Sequence, residues 1–291
     1  MKNPYKIEKP ALISFSGGRT SAFMLYQILQ AFEGALPDDV YVVFANTGKE
    51  VPETLDFINQ CSINWNIKVR WLELDIYKER PIYRTKEVSY ETASRNGEPF
   101  EALIDRKKFL PNNSMRICTA ELKMKVMERF MRSQNHKEWF NVIGLRHDEY
   151  RRVSTQLKAN KENKNKWETI MPLNTDKKVL SDIYNFWSTS DFDLNLPNHG
   201  GKTLAGNCDL CYLKGTQTLV NILREKPDLA DWWIEQERKL KVWRKEDRGS
   251  QYGMTFKGNG MSYIKLLDIT KLDKKQIELF DDDSRSCFCH D

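Results

Sequence analysis

Hydrophobic and polar positions alternate along the first half of the chain in two rhythms. Ala11-Leu12-Ile13-Ser14-Phe15 and Val40-Tyr41-Val42-Val43-Phe44-Ala45 are short, nearly continuous apolar runs, the pattern of strands buried on both faces. Lys68 to Leu74 and Lys137 to Ile143 read as further strands, the latter closed by Gly144. Between them the period lengthens to that of helices, one running from a glycine pair to about Ala31 and one from Glu53 to about Cys61. This alternation predicts an α/β fold, a parallel twisted sheet with helices on both faces. Residues 77–116 are polar and weakly periodic and read as a long insertion. Residues 156–167, rich in Lys and Asn, read as a mobile surface loop. From Thr216 the pattern is helical again: Leu219, Ile222 and Leu223 form one stripe, and Pro227 opens a second helix carrying Leu229, Trp232, Trp233, Leu240 and Trp243. The expected division is an α/β domain over 1–200 and a helical, cysteine-containing region over 201–291 packed on it.

Composition narrows the class. A chain of 291 residues, 40% of them hydrophobic, can bury a core and is too apolar for disorder. No run approaches the ~18 apolar residues of a membrane span, and Met1-Lys2-Asn3-Pro4-Tyr5-Lys6 leads into a mixed segment rather than a signal-peptide core. A cytoplasmic protein with no membrane partner is expected. Lys and Arg number 46 against 41 Asp and Glu, a net +5 that permits a polyanion surface without demanding one. A nucleic-acid acceptor therefore has to be argued from a site.

The sharpest local feature is Ser14-Phe15-Ser16-Gly17-Gly18-Arg19-Thr20-Ser21, between the first strand and the first helix. Gly17 and Gly18 allow a tight turn and close approach to a ligand. The helix beginning there directs unpaired N–H groups and partial positive charge into the same space. Ser16, Thr20 and Ser21 add hydroxyls, and Arg19 adds a cation, so the segment suits a phosphate or pyrophosphate. The spacing equally fits a plain strand-to-helix turn with a Ser/Thr cap. Gly201-Lys202-Thr203 is not a Walker A loop, since Leu196 stands where its first glycine belongs, and Tyr263 breaks a dinucleotide fingerprint at Gly258-Asn259-Gly260.

Six cysteines occur. Cys61, within Phe57-Ile58-Asn59-Gln60-Cys61, reads as core. Cys208 and Cys211 have the two-residue spacing that lets two thiolates face one metal, after a turn at Gly206-Asn207. Cys118 precedes a helix whose apolar side holds Leu122, Val126, Phe130 and Met131, and a thiol at a helix N-terminus is a better ligand or nucleophile. Cys287-Phe288-Cys289-His290 adds two more thiols. A sulfur-only donor set suits Zn²⁺ or [4Fe–4S].

The glycine loop resembles the Ser-Gly-Gly-x-x-Ser signature of the PP-loop superfamily. Phe44-Ala45-Asn46-Thr47-Gly48-Lys49-Glu50-Val51-Pro52-Glu53-Thr54 is similar to the Asn/Asp-Thr-Gly…Pro-Glu-Thr segment of its 3′-phosphoadenylylsulfate (PAPS) reductase branch. Gly144-Leu145-Arg146-His147-Asp148-Glu149-Tyr150-Arg151-Arg152 is similar to that branch's Gly-x-Arg-x-x-Glu…Arg stretch. The resemblance implies an adenine nucleotide, ATP or PAPS, with its phosphates at Ser14 and Ser16 to Ser21. It also implies Asn46, Thr47 and Gly48 towards the adenosine, and Gly144, Arg146, Arg151 and Arg152 meeting the phosphate or sulfate charge. Arg19 and Arg146 would act in catalysis, with Mg²⁺ as a companion ion. Relatives that bind [4Fe–4S] imply Cys118, Cys208 and Cys211 as ligands, with Cys289 or Cys287 as the fourth and zinc as the alternative. PAPS reductases instead imply a tail nucleophile, here Cys287 or Cys289.

Three functions follow as expectations: ATP-dependent thiotransfer, sulfonucleotide reduction, and nucleotide sensing by a metal-stapled, non-catalytic module. A homodimer is an allowed assembly for each.

Overall fold

In the computed structural model the described residues are 3–199, 202–203, 205–246, 255–258 and 260–272. Six strands form one sheet: β1 (Ala11–Ser14), β2 (Val40–Ala45), β3 (Val69–Ile76), β4 (Tyr83–Val88), β5 (Trp139–Val142) and β6 (Trp167–Ile170), in the order β4-β3-β2-β1-β5-β6. All neighbours are parallel except β3 and β4. The fold is α/β as expected, but the sheet is mixed, because an antiparallel edge strand occupies what reads in the sequence as an irregular insertion.

Alternate residues of the central strands feed two cores. Ile13, Val42 and Phe44 face α1 (Arg19–Ala31), α2 (Pro52–Asn64) and Trp187 of a later helix, in a core that includes Phe23, Leu25, Ile58 and the fully buried Cys61. Leu12, Val43 and Leu72 face the other way, onto α3 (Glu98–Lys107) and α4 (Lys125–Ser133). The same core continues into α8 (Thr216–Glu225), α9 (Ala230–Glu246) and α10 (Tyr263–Ile269) through Leu219, Trp233 and Tyr263, once the intervening helices are numbered α5 (Tyr150–Lys161), α6 (Pro172–Thr175) and α7 (Leu180–Ser188). The Trp-bearing segment thus packs on the sheet, as its apolar stripe predicts. No helix among the described residues is long and apolar enough to cross a membrane.

One expectation is corrected. Residues 77–116, weakly periodic in sequence, contain β4 and α3, and most of 156–167 is the second half of α5 and the start of β6 rather than a mobile loop.

The topology itself marks the site. The chain runs outward from β1 through β2 to β3, then returns to place β5 on the other side of β1, so the order reverses at β1. Open α/β sheets bind ligands beyond the carboxyl ends of strands at such a point.

Candidate functional site

The loop after β1 lies at that switch point. Gly17 has φ +81°, and a Cβ there would fall 2.6 Å from Thr54 Cγ2 and 2.7 Å from Ile58 Cδ1. Glycine is required because α2 presses on the turn from behind. The Ser16 and Ser21 hydroxyls are 2.9 Å apart, and Ser21 Oγ donates to the Gly18 carbonyl at 2.9 Å, which fixes the curve of the loop. Gly18 caps α1 with extended backbone and no side-chain acceptor. The first-turn amides of α1 therefore face the mouth without an intrahelical partner. Ser14, Ser16, Phe44 and Ala45 border a cavity of about 20 Å³ at the ends of β1 and β2, with Lys123 and Met127 opposite.

The arginines are more tightly held than a free anion clamp would be. Arg19 is buried; its Nε donates to Asp193 Oδ1 at 2.6 Å and its Nη1 to Thr203 Oγ1 at 2.9 Å. Its Nη2 also meets Asp193, so a carboxylate offsets its charge and the start of α1 is tied to Asp193 and Thr203. Arg146, also buried, reaches the loop directly, Nη1 to Thr20 Oγ1 at 3.2 Å, while Nε pairs with Asp148 at 2.9 Å. Gly144 lets β5 approach this helix start, since a Cβ there would lie 3.2 Å from Ser21 Cα. Arg152 pairs with Glu149, and Arg151 is exposed on α5.

At the end of β2, Asn46 is fully buried and donates to Glu73 Oε1 at 2.6 Å and to the Ser94 carbonyl at 2.9 Å, while its Oδ1 accepts from Gly48 N at 3.1 Å. Thr47 donates to Glu50 through both its amide and its hydroxyl. These two residues shape the strand end, and Thr47 also turns towards sulfur, with Oγ1 3.5 Å from Cys208 Sγ.

The second half of the site is a cavity of about 30 Å³ bordered by Cys118, Cys208 and Cys211 together with Thr47, Lys123 and Lys214. Cys118 thus borders the same cavity as the Cys208-Cys211 turn, which is distant from it in sequence. A short bridge between Glu50 and Cys208 joins the Cys-x-x-Cys turn to the end of β2. A buried ion pair locks it there: Lys49 Nζ is 2.8 Å from Asp209 Oδ2, and Asp209 Oδ1 accepts from Trp233 Nε1 at 2.9 Å. Lys214 Nζ donates to the carbonyls of Gly206 and Cys208 at 2.9 and 2.7 Å. Lys49, Lys123 and Lys214 thus bring three buried ammonium groups around this region. Burial, followed by the nearness of Cys211, Glu237 and Asp209, pushes the Tyr263 phenol well above its ordinary value. Cys61 stands apart, its thiol pushed far up by burial, as befits core.

Cys118, Cys208 and Cys211 have the donor chemistry for an iron–sulfur cluster or zinc. Among the described residues, no three His, Cys, Asp or Glu side chains stand close enough to hold one metal ion. Cys287 and Cys289 lie outside the described residues.

Lys123 is the residue that sequence reading passes over. It borders both cavities and sits 3.6 Å from Glu50 Oε1. The helix after Cys118 opens as a π-helix, Thr119–Met124, in which Lys125 N bonds the Ala120 carbonyl five residues back. That wider turn brings Lys123 onto the same cavity wall as Cys118, and such turns are frequent at functional sites. An ordinary helical reading of Glu121-Leu122-Lys123 gives no such signal.

The sequence profile of the phosphoadenosine phosphosulfate reductase domain matches residues 10–195, well over half of the chain. The chain belongs to that family. This phosphoadenosine phosphosulfate reductase-domain protein is 29% identical over 218 residues to the uncharacterized nin region protein ORF290 of Escherichia phage lambda, covering 72% of this chain and 67% of the phage protein. It is 26% identical over 147 residues to the uncharacterized protein MJ0066 of Methanocaldococcus jannaschii, half of this chain (50%) but only 25% of the archaeal one. Among solved structures it is similar to the U34-tRNA thiolase NcsA from Methanococcus maripaludis with its [4Fe-4S] cluster. That overlay has a TM-score of 0.39 and 12% identity over 91% of this chain and 83% of the other, a likeness too loose to argue from.

Proposed function

We propose that this chain is an ATP-dependent sulfur-transfer enzyme. ATP would bind with its phosphates on the loop from Ser14 to Ser21, and the thiol-lined cavity would hold the sulfur to be delivered. One observation carries the reading: Lys123 is a common wall of the nucleotide-side and thiol-side cavities. The Lys123 ammonium would then lie within reach of a sulfur in one and of a phosphate at the mouth of the other. In the proposed sequence an acceptor oxygen attacks the α-phosphorus and pyrophosphate leaves; a hydrosulfide-level donor then attacks the acceptor carbon, and AMP departs with that oxygen. Arg146, through Thr20, orients the loop, and Arg19 with Asp193 fixes the start of α1, a positioning role rather than direct contact with substrate. Cys118, Cys208 and Cys211 would hold a [4Fe–4S] cluster, with Cys289 or Cys287 as the fourth ligand. With the fourth position left open instead, such a cluster would supply an iron that can carry sulfide.

Family membership keeps sulfonucleotide reduction as the second reading. There PAPS replaces ATP, Cys287 or Cys289 attacks its sulfonate sulfur as adenosine 3′,5′-bisphosphate leaves, and a second thiol then expels sulfite by forming a disulfide. Anaerobic purification, iron analysis and a pyrophosphate-release assay separate the two. Thiotransfer predicts on the order of four irons per chain, absorbance near 400 nm and ATP-dependent pyrophosphate release that Arg146→Ala lowers. Sulfite release from PAPS that Cys287→Ser/Cys289→Ser abolishes would replace thiotransfer with reduction. Tight nucleotide binding by a colourless protein with neither activity would point to the sensing module.

A further inference from the structure

The charge of the chain is not evenly spread. Residues 150–166 hold six Lys and Arg (Arg151, Arg152, Lys158, Lys161, Lys164 and Lys166) against one acid, Glu162, a local +5 equal to the formal charge of all 291 residues. Taken together, the rest of the chain is neutral.

This charge is carried on a helix that packing does not explain. Of the twelve residues of α5, Val153 alone is buried. Its far end is pinned by Asn160, whose side chain exchanges hydrogen bonds with Thr169 of β6 at 2.7 and 2.9 Å. The outer stripe faces solvent, where Glu162 pairs with Lys158 at 3.8 Å and with Lys164 at 2.6 Å. Arg151, Lys158 and Lys161 recur at roughly helical spacing and are all exposed, and Lys164 and Lys166 extend the line beyond the C-terminus. The ten helical steps from Arg151 to Lys161 span about 15 Å, the reach of two to three phosphates along a strand.

The stripe leads to the site. Tyr150, 67% exposed, opens α5 one residue after Glu149, whose carboxylate binds the amide of Arg146, and Arg146 touches Thr20 of the nucleotide loop. The Tyr150 ring packs edge-on against His147, with centroids 5.6 Å apart, so its other side remains open. An exposed aromatic at the inner end of a cationic track is the arrangement that holds single-stranded nucleic acid, phosphates on the track and a base on the ring. A duplex keeps its bases stacked and offers none to Tyr150.

We propose that the outer face of α5 docks a single-stranded nucleic acid segment, RNA or DNA, and leads one unpaired base to the nucleotide loop as the acceptor. This rests on the sulfur-transfer reading for its purpose, though not for its surface. The test uses the full chain with fluorescent 20-nucleotide single strands of RNA and of DNA, a DNA duplex, and phosphatidylserine vesicles, titrated across salt concentrations. Single strands should bind more tightly than duplex, and the RNA and DNA arms identify the acceptor. Lys158→Gln/Lys161→Gln/Lys166→Gln should lower the slope of log K against log salt by about 2. Tyr150→Ala should weaken single-strand binding at least about fivefold and leave the slope unchanged. Single-strand binding unaffected by the triple variant, binding to vesicles alone, or no binding by the wild type each overturns the proposal. Calorimetry with ATP on the wild-type chain, beside its nucleic acid titrations, separates the two readings. ATP binding without nucleic acid binding sinks the docking face alone, and nucleic acid binding without ATP binding sinks the sulfur-transfer reading alone.

Discussion

At the scale of single residues, the loop that organises the site depends on an absence of atoms. Gly17 combines a positive φ with a wall of Thr54 and Ile58 too close for any Cβ. Gly17→Ala therefore adds both backbone strain and overlap, each worth about 1–3 kcal/mol. Denaturant unfolding should show a loss of that order, and calorimetry should show nucleotide affinity falling with it, because the amides of the first turn of α1 no longer converge. An unchanged unfolding midpoint would mean that α2 can retreat from the turn. This residue was legible in the sequence because a glycine pair between an apolar strand run and a helical period marks a tight turn. The commitments of Arg19 were not: its carboxylate partner, Asp193, is 174 residues away, and no spacing rule reaches that far. The same limit hid Asp209 as the partner of Lys49.

At the scale of elements, legibility followed burial. β1 and β2 were readable because both faces are covered, which leaves an unbroken apolar run. β4 has no buried residue, and its Tyr-Arg-Thr-Lys-Glu-Val sequence carries no inward-facing pattern. α5 was obscured for the same reason, with Val153 its one buried position. α3 is different, since Phe100, Leu103 and Ile104 keep helical spacing after Gly97 and were overlooked within a polar neighbourhood. Within α9 a buried polar residue sets a pH dependence that no periodicity foretells. Glu237 is 2% exposed and accepts the amides of Phe256 and Tyr263 at 3.2 and 3.1 Å, so it fastens the segment leading into α10. Burial pushes its carboxyl up to about 7 from 4.5. A raised carboxyl binds its proton more tightly in the folded state, so this contribution to stability is full below about pH 4.5 and is lost as pH climbs to about 7. The loss is about 3 kcal/mol. Urea unfolding at pH 5 and pH 7.5 should reveal that slope in the wild type and its absence in Glu237→Gln; equal slopes would refute it.

At the scale of the molecule, one apolar core joins the sheet to the C-terminal helices, and the two cavities lie along that junction. Leu12, Val43 and Leu72 of the sheet share a cluster with Leu210, Trp233 and Tyr263, so the Cys-x-x-Cys turn is held against the end of β2 by the packing that completes the fold. The chemistry of the candidate site thus depends on two halves being docked, with Lys123 on the wall between them. Removing its ammonium should separate binding from turnover. In Lys123→Met, Glu50 keeps the amide and hydroxyl of Thr47 but loses a buried ionic partner, a cost of about 3–5 kcal/mol that denaturant unfolding reads alongside activity. Nucleotide affinity and iron content should stay near wild type, because neither the loop amides nor the thiols have moved. Pyrophosphate release should fall about 10²-fold, the usual effect of deleting one preorganised charge that stabilises a developing anion. If nucleotide affinity falls in step with turnover, Lys123 belongs to the binding site alone. If turnover is untouched, the shared wall has no part in the reaction and the two cavities work independently.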